Sequence, residues 1–92
     1  ATRTLDVIAQ SSGQSWIGMD RMRRAVAGDF APRAHMTLLA KDTALAQDAA
    51  RSVGFDGPLG ALASQVFASA LQSGLADLDD AALLPFLERR LP

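Results

Sequence analysis

Apolar residues recur at helical spacing along most of the chain and predict four or five helices. The fourth segment is the clearest, because apolar side chains follow one another at intervals of three and four residues from Leu59 to Leu71. Gly57 and Pro58 open this segment, and Gly74 ends it. The pattern therefore predicts an all-α fold, a compact bundle of four to five helices.

Two shorter helices are predicted near the start of the chain. The first covers about residues 4–10, begins without a convincing cap, and is typical of a longer helix cut at the N-terminus. Its apolar face is formed by Leu5, Ile8 and Ala9. Ser15 is a plausible N-cap for a second helix that runs to Ala27 and is ended by Gly28. The apolar stripe of that helix is formed by Met19, Met22 and Val26.

The third and longest helix is predicted over residues 33–53, and Pro32 suits its first turn. A second apolar strip on this helix holds Leu38 and Leu45, and Lys41 lies roughly 40–60° around the helix from each of them. The helix is therefore apolar on more than one side, with one cation set into the second side. Its first apolar face holds Met36, Leu39, Ala46, Ala50 and Val53.

The last helix is predicted to begin at a cap provided by Asp79 or Asp80 and to run to about residue 91. Pro85 falls inside it and removes one backbone donor. We therefore expect this helix to kink or restart at the proline.

Composition supports the all-α prediction and argues against several classes of partner and site. Alanine and leucine make up about a third of the 92 residues, and aromatic residues make up 5%. Nine basic residues against ten acidic ones favour neither nucleic acid nor an anionic membrane as a partner. The chain has no cysteine for disulfides or thiolate metal sites and no run of about 18 apolar residues that could span a membrane. Residues 1–10 hold no secretory apolar run, so we expect a cytoplasmic protein.

Three sets of polar residues could in principle form a site, but the spacing of each set argues against it. Ser15, His35 and Asp42 could be imagined as a nucleophilic triad, but they fall on predicted caps and helices without the turn that exposes a nucleophile. The aspartates of residues 77–80 lack the glycine and terminal glutamate of a calcium loop, so capping is favoured and no metal site is predicted. The arginines of residues 21–33 lack the interleaved aromatics of a nucleic-acid surface.

Lys41 and Asp42 form the most informative polar pair in the sequence. A lysine surrounded by leucine and alanine must either extend its ammonium into solvent or meet an anion. Taken alone, extension into solvent is the favoured interpretation of Lys41. Asp42 is equally compatible with an ordinary solvated or helix-pairing carboxylate.

Five short segments, in a fixed order, carry a family resemblance. They are SSGQSW (11–16), GDFAPR (28–33), KDTALA (41–46), GPL (57–59) and GLADLDD (74–80). Together they resemble the C-terminal domain of the β-hydroxyacid dehydrogenases, the superfamily of 3-hydroxyisobutyrate and 6-phosphogluconate dehydrogenases. The resemblance extends over about residues 5–91.

The resemblance implies an NAD(P)-dependent oxidoreductase that acts on the hydroxyl of a 3-hydroxy acid. Such enzymes join a Rossmann domain to a helical domain through a long helix that carries the catalytic lysine, and they assemble as homodimers or higher oligomers. By this resemblance, residues 1–92 are a single helical domain, truncated at its N-terminus, and the Rossmann domain and catalytic lysine lie upstream. The substrate and the choice between NAD and NADP stay open, because that choice belongs to the Rossmann domain.

The resemblance also assigns roles to three residues. Lys41 matches the lysine that reaches the nicotinamide end of the cofactor, and Asp42 matches the acid that orders the wall of the substrate pocket. Ala34 stands where the family often has phenylalanine, as in the threonate and erythronate dehydrogenase branch, and it leaves room for a larger, more polar acid. The alternative function is a non-catalytic helical interaction module of the same ancestry.

Overall fold

The chain folds into five α-helices joined by short turns. A computed structural model describes residues 1–92, and it contains no strand. The helices are α1 (Thr2–Ala9), α2 (Trp16–Val26), α3 (Met36–Ser52), α4 (Pro58–Ala70) and α5 (Leu83–Glu88). A π turn, Leu71–Leu75, follows α4, and a 3₁₀ turn, Asp80–Ala82, precedes α5. The predicted all-α bundle of four to five helices is confirmed.

The helices pack around a small core. α3 and α4 pack against each other, while α1 packs against α2, and α2 contacts the 3₁₀ turn and α5. The buried centre consists of Met36, Ala70, Ala82 and Phe86. Around it pack Phe30, Val66, Phe67, Leu71, Leu75 and Leu83. Only 10 of the 92 residues are buried, so much apolar surface stays on the outside of this small protein.

Several predicted helix ends are confirmed by local geometry. The Ser15 hydroxyl accepts a hydrogen bond from the Gly18 N–H at 3.0 Å and caps α2. Asp79 caps the 3₁₀ turn by accepting from the Ala81 N–H at 2.8 Å. Gly74 has a φ of +84°, which few residues other than glycine adopt, and it ends the helical path that α4 begins.

Other predicted boundaries are wrong, and contacts distant in sequence explain them. The third helix begins at Met36 and not near residue 33, because the backbone before it bonds to Asp79 and Asp80 and leaves Pro32 in a loop. α5 ends at Glu88 rather than near residue 91. The expected restart near Pro85 is present, because α5 begins at Leu83 after the 3₁₀ turn, and Pro85 lies in its first turn, where no intrahelical donor is required.

The predicted apolar faces are only partly buried. The C-terminal half of the α4 stripe packs in the core, but Leu59 and Leu62 near the start of α4 are 82% and 58% exposed. On α2 the buried residues are Arg24 and Ala25, not the predicted methionine and valine stripe, of which Val26 is exposed. Periodicity located these helices correctly, but it did not show that an arginine faces the interior.

Candidate functional site

Lys41 and Asp42 lie together on an exposed face of α3. The Lys41 Nζ atom is 3.3 Å from Asp42 Oδ1, and the two side chains are 61% and 54% exposed. The ammonium of Lys41 therefore points away from the core, as the helix geometry predicts. Because Asp42 occupies one side of the ammonium, its other N–H donors are open to a polar or anionic group.

Ala34 lies in the segment just before α3 and is half-buried. Its N–H donates to Asp79 Oδ1 at 3.1 Å, and its carbonyl accepts from the Asp80 N–H at 2.9 Å. Both backbone polar groups of Ala34 are thus held by the turn that precedes α5. These two bonds fix the backbone of Ala34 and so fix the position of its methyl group. Ala34 itself lies outside α3, which begins at Met36.

The fully buried side chain of Asp79 connects the segment before α3 to the 3₁₀ turn before α5. Its Oδ1 accepts from the N–H groups of Arg33 at 2.9 Å and Ala34 at 3.1 Å. Its Oδ2 accepts from the Ala81 N–H at 2.8 Å and lies 2.8 Å from Nη1 of Arg24. We call this arrangement the Asp79 clamp. Three backbone N–H groups and one guanidinium therefore surround the carboxylate, and their hydrogen bonds and opposite charge offset the cost of burying it.

Three further ion pairs continue the network along α2. Arg21 Nε lies 2.5 Å from Asp80 Oδ1, and Arg21 Nη1 lies 2.6 Å from Asp20 Oδ2. Arg24 Nη2 also approaches Asp20 Oδ2, at 3.2 Å. The sequence indicated a cap at Asp79 or Asp80 but not these cationic partners on α2. A pair of adjacent aspartates between apolar residues was the one available signal of a buried charge.

The carboxyl groups of this network have displaced pKa values. Burial by itself would raise the pKa of Asp79, but the N–H groups of Ala81, Arg33 and Ala34, together with Arg24, hold it well below its usual range. Burial raises the pKa of Asp80, against the hydrogen bond from Arg21. The hydrogen bond from Arg21 also lowers the pKa of Asp20.

We expect acid to destabilise the protein through Asp79. Its pKa is lowered on folding from an ordinary value of 3.8, so its contribution is present above about pH 5 and is lost as the pH falls below about 4. The contribution of Asp80 to stability changes with pH in the opposite direction, because its pKa is raised on folding. As the pH falls from that raised pKa to 3.8, protonation of Asp80 therefore increases the unfolding free energy. One proton contributes a slope of at most about 1.4 kcal/mol per pH unit.

Urea unfolding between neutral pH and about pH 2 tests this slope. The Asp79→Asn variant should show a shallower fall in unfolding free energy below about pH 4 than the wild type. Asp48→Asn is the matched control, because Asp48 is an exposed carboxylate 3.6 Å from Arg51 and outside the network. An equal acid slope in the wild type and in Asp79→Asn would contradict the assignment.

The other polar groups of the sequence form no site in the structure. Ser15 is occupied as a helix cap and Asp42 pairs with Lys41, so no triad assembles with His35. No cluster of three histidine or acidic side chains could hold a metal ion. Arg21 and Arg24 belong to the network described above, Arg23 pairs with Asp6, and Arg33 pairs with Asp29. No helix is long and apolar enough to cross a bilayer.

An apolar cleft of the protein lies apart from the predicted site residues. It has a volume of about 320 Å³ and is lined mainly by apolar side chains, with Arg21 and Asp80 as polar residues in its wall. Ala34, Lys41 and Asp42 line none of the clefts of the chain. The predicted site is therefore an open face of α3 and the segment before it, not a closed pocket.

A family model described as the NAD-binding domain of NADP-dependent 3-hydroxyisobutyrate dehydrogenase matches residues 1–87. The chain belongs to this family. The resemblance found in the sequence motifs is thereby confirmed, and with it the relation to NAD-binding oxidoreductases.

Relatives and solved structures agree with the family assignment. The chain is 35% identical to L-threonate dehydrogenase of Escherichia coli K12 and 33% identical to that of Haemophilus influenzae, in each case over 86% of this chain and 26% of the relative. The structure of a 3-hydroxyisobutyrate dehydrogenase from Salmonella typhimurium superposes with a TM-score of 0.88 at 33% identity, over 92% of this chain and 30% of that one. A Mycobacterium tuberculosis 3-hydroxyisobutyrate dehydrogenase with L-serine gives 0.79 at 29% identity, over 95% and 32%. The chain thus spans about a quarter of the length of the curated relatives.

Proposed function

We propose that this chain forms one wall of the active site of an NAD(P)-dependent dehydrogenase that oxidises the hydroxyl of a short hydroxy acid. The observation that carries the proposal is the family match over residues 1–87, combined with the exposed pair of Lys41 and Asp42 on α3. A ligand on such an open face needs a second surface opposite it. In this proposal a Rossmann domain supplies that surface, and residues 1–92 act as the helical domain of a longer two-domain enzyme.

Each predicted site residue has a role that its surroundings allow. Lys41 donates hydrogen bonds to the nicotinamide end of the dinucleotide, because its ammonium is exposed and has Asp42 as its single acidic partner. Asp42 holds that ammonium from the side and orders the pocket wall. A bound dinucleotide would supply the hydride-accepting chemistry, and Lys41 would be the residue of this chain that holds it. The general acid/base in this proposal is the family lysine of the upstream segment, and no residue of this chain takes that role.

Ala34 bears on the class of substrate. L-Threonate, 3-hydroxyisobutyrate and L-serine, the compounds in the names of similar proteins, are all short carboxylic acids that carry a hydroxyl. A methyl side chain at position 34 leaves more room beside the substrate than the phenylalanine that the family often has. We therefore propose a polar hydroxy acid of about four carbons, such as L-threonate, as the substrate.

Turnover by the full-length protein that contains this chain tests the proposal. We expect reduction of NAD or NADP with at least one of L-threonate, 3-hydroxyisobutyrate and L-serine. The chain of residues 1–92 alone should give no reduced cofactor, because transition-state stabilisation needs the general acid/base and the dinucleotide fold. Failure of the full-length protein on all three acids, with its folding verified, would favour the non-catalytic interaction module.

We also propose that the chain self-associates. Large apolar side chains are exposed at the end of α3, in the following loop and at the start of α4: Val53, Phe55, Leu59 and Leu62. Apolar surface of this kind favours association at about 25 cal/mol per Å² buried, before the entropic cost of association. Sedimentation equilibrium at micromolar concentration should show a dimer or a higher oligomer. A single species near 9.7 kDa at every concentration would contradict this prediction.

A further inference from the structure

We propose that Asp79 is a positioning residue for substrate recognition, acting through the backbone of Arg33 and Ala34. This inference rests on the proposed function, because it takes Ala34 to face the substrate. Asp79 touches no ligand in this proposal. Its carboxylate fixes the segment that presents Ala34 and leads into α3.

Geometry distinguishes Asp79 from a simple helix cap. A cap needs one acceptor for its own turn, and the Asp79 Oδ2 atom supplies it to Ala81. The second oxygen turns the other way and accepts from two consecutive N–H groups that belong to a different segment, at 2.9 and 3.1 Å. Half of the hydrogen-bonding capacity of this buried carboxylate is therefore used to hold the backbone at Arg33 and Ala34.

Backbone bonds complete the same attachment. The Asp79 N–H donates to the Phe30 carbonyl at 3.2 Å, and the Met36 N–H donates to the Leu78 carbonyl at 2.9 Å. The segment 30–36 is therefore fastened at both ends and in the middle to residues 78–80. Since α3 begins at Met36, this attachment also sets where the helix that carries Lys41 starts.

The Asp79→Asn substitution separates positioning from bulk stability. The amide keeps one oxygen and replaces the other with an NH₂ donor. Arg24 and the Ala81 N–H favour the oxygen on their side, so the NH₂ group faces the N–H groups of Arg33 and Ala34 and releases them. Asp80→Asn is the matched control, because the Asp80 side chain is also buried and pairs with Arg21 but holds neither of these N–H groups.

Kinetics and amide exchange are measured on the full-length protein. L-Threonate is tested first, and 3-hydroxyisobutyrate and L-serine are used if L-threonate is not turned over. In Asp79→Asn we expect kcat/KM for the acid to fall about 10- to 100-fold, mainly through KM, because misplacement of a binding segment by about 1 Å has effects of this size. Exchange of the Arg33 and Ala34 amides should accelerate about tenfold or more. Asp80→Asn should change both quantities by less than about threefold.

Several outcomes would overturn the inference. Equal kinetic losses in both variants that follow their loss of stability would make Asp79 merely structural. Unchanged KM in Asp79→Asn with faster exchange at Arg33 and Ala34 would show that the segment does not face the substrate. If Asp79→Asn does not fold, amide exchange in the wild type still tests the Asp79 clamp. Rapid exchange of the Arg33 and Ala34 amides in the wild type would refute it. Absence of any turnover by the wild type refutes the proposed function instead, and the exchange data still test the clamp.

Discussion

Replacing Lys41 with alanine in the full-length enzyme should lower kcat/KM about 10- to 100-fold, which corresponds to the roughly 1.5–3 kcal/mol of a hydrogen bond to a charged group. The thermal midpoint should change little, because the Lys41 side chain is 61% exposed and its one ionic partner, Asp42, is also exposed. The loss should come from the ligand that the ammonium contacts in the bound state. Initial rates at subsaturating dinucleotide and hydroxy acid measure it directly.

Arg51 provides the matched control for Lys41. It also lies on α3, is 65% exposed, and pairs with a nearby carboxylate, Asp48, at 3.6 Å. Arg51→Ala therefore removes the same kind of charge from the same helix, away from the proposed site, and should leave kcat/KM unchanged. An unchanged kcat/KM in Lys41→Ala would reject its cofactor role.

Truncation of Phe86 should have the largest effect on stability. Phe86 is buried at the centre of the core with Met36, Ala70 and Ala82, and the Arg90 guanidinium lies 4.7 Å from its ring centroid. Phe86→Ala should lower the unfolding free energy by about 3–5 kcal/mol, because it removes a large apolar group and leaves a cavity. For a domain this small, that is a large part of the total stability.

Urea unfolding followed by far-UV circular dichroism measures the loss. The neighbouring residue Leu87 is 40% exposed and supplies the control, since Leu87→Ala should cost about 1 kcal/mol or less for its partly buried surface. Equal losses in Phe86→Ala and Leu87→Ala would mean that α5 does not dock through Phe86. Such a result would contradict the packing described for the core.

The sequence predicted the helices well because local signals define them. Ser15, Gly28 and Gly74 mark helix ends through their own hydrogen bonding or φ values, and each acts where it was expected. The start of α3 was misplaced because it depends on Asp79, which is distant in sequence. Periodicity also treated every apolar face as buried, whereas Leu59 and Leu62 are exposed.

The site was less accessible to sequence reasoning than the fold. Helical geometry placed Lys41 off the core, and the structure agrees, but its contact with a cofactor rests on family resemblance and stays a prediction. The link between Arg24 and Asp79 was not foreseen, because an arginine on a helix is ordinarily solvated. Charge pairing between residues far apart in the chain leaves no periodic signal.

The Asp79 clamp has a consequence for the order of folding. Its side-chain bonds to Arg33 and Ala34 close loops of 46 and 45 residues, whereas α3 and α4 are neighbours joined by a short connection. Long loops are costly to close early, so we expect the α3–α4 pair to form first and the clamp late. In stopped-flow measurements, substitutions at Asp79 should then accelerate unfolding and leave the folding rate nearly unchanged. By this argument we expect the segment before α3 to take its shape after the α3–α4 pair has formed and to lose it before that pair unfolds.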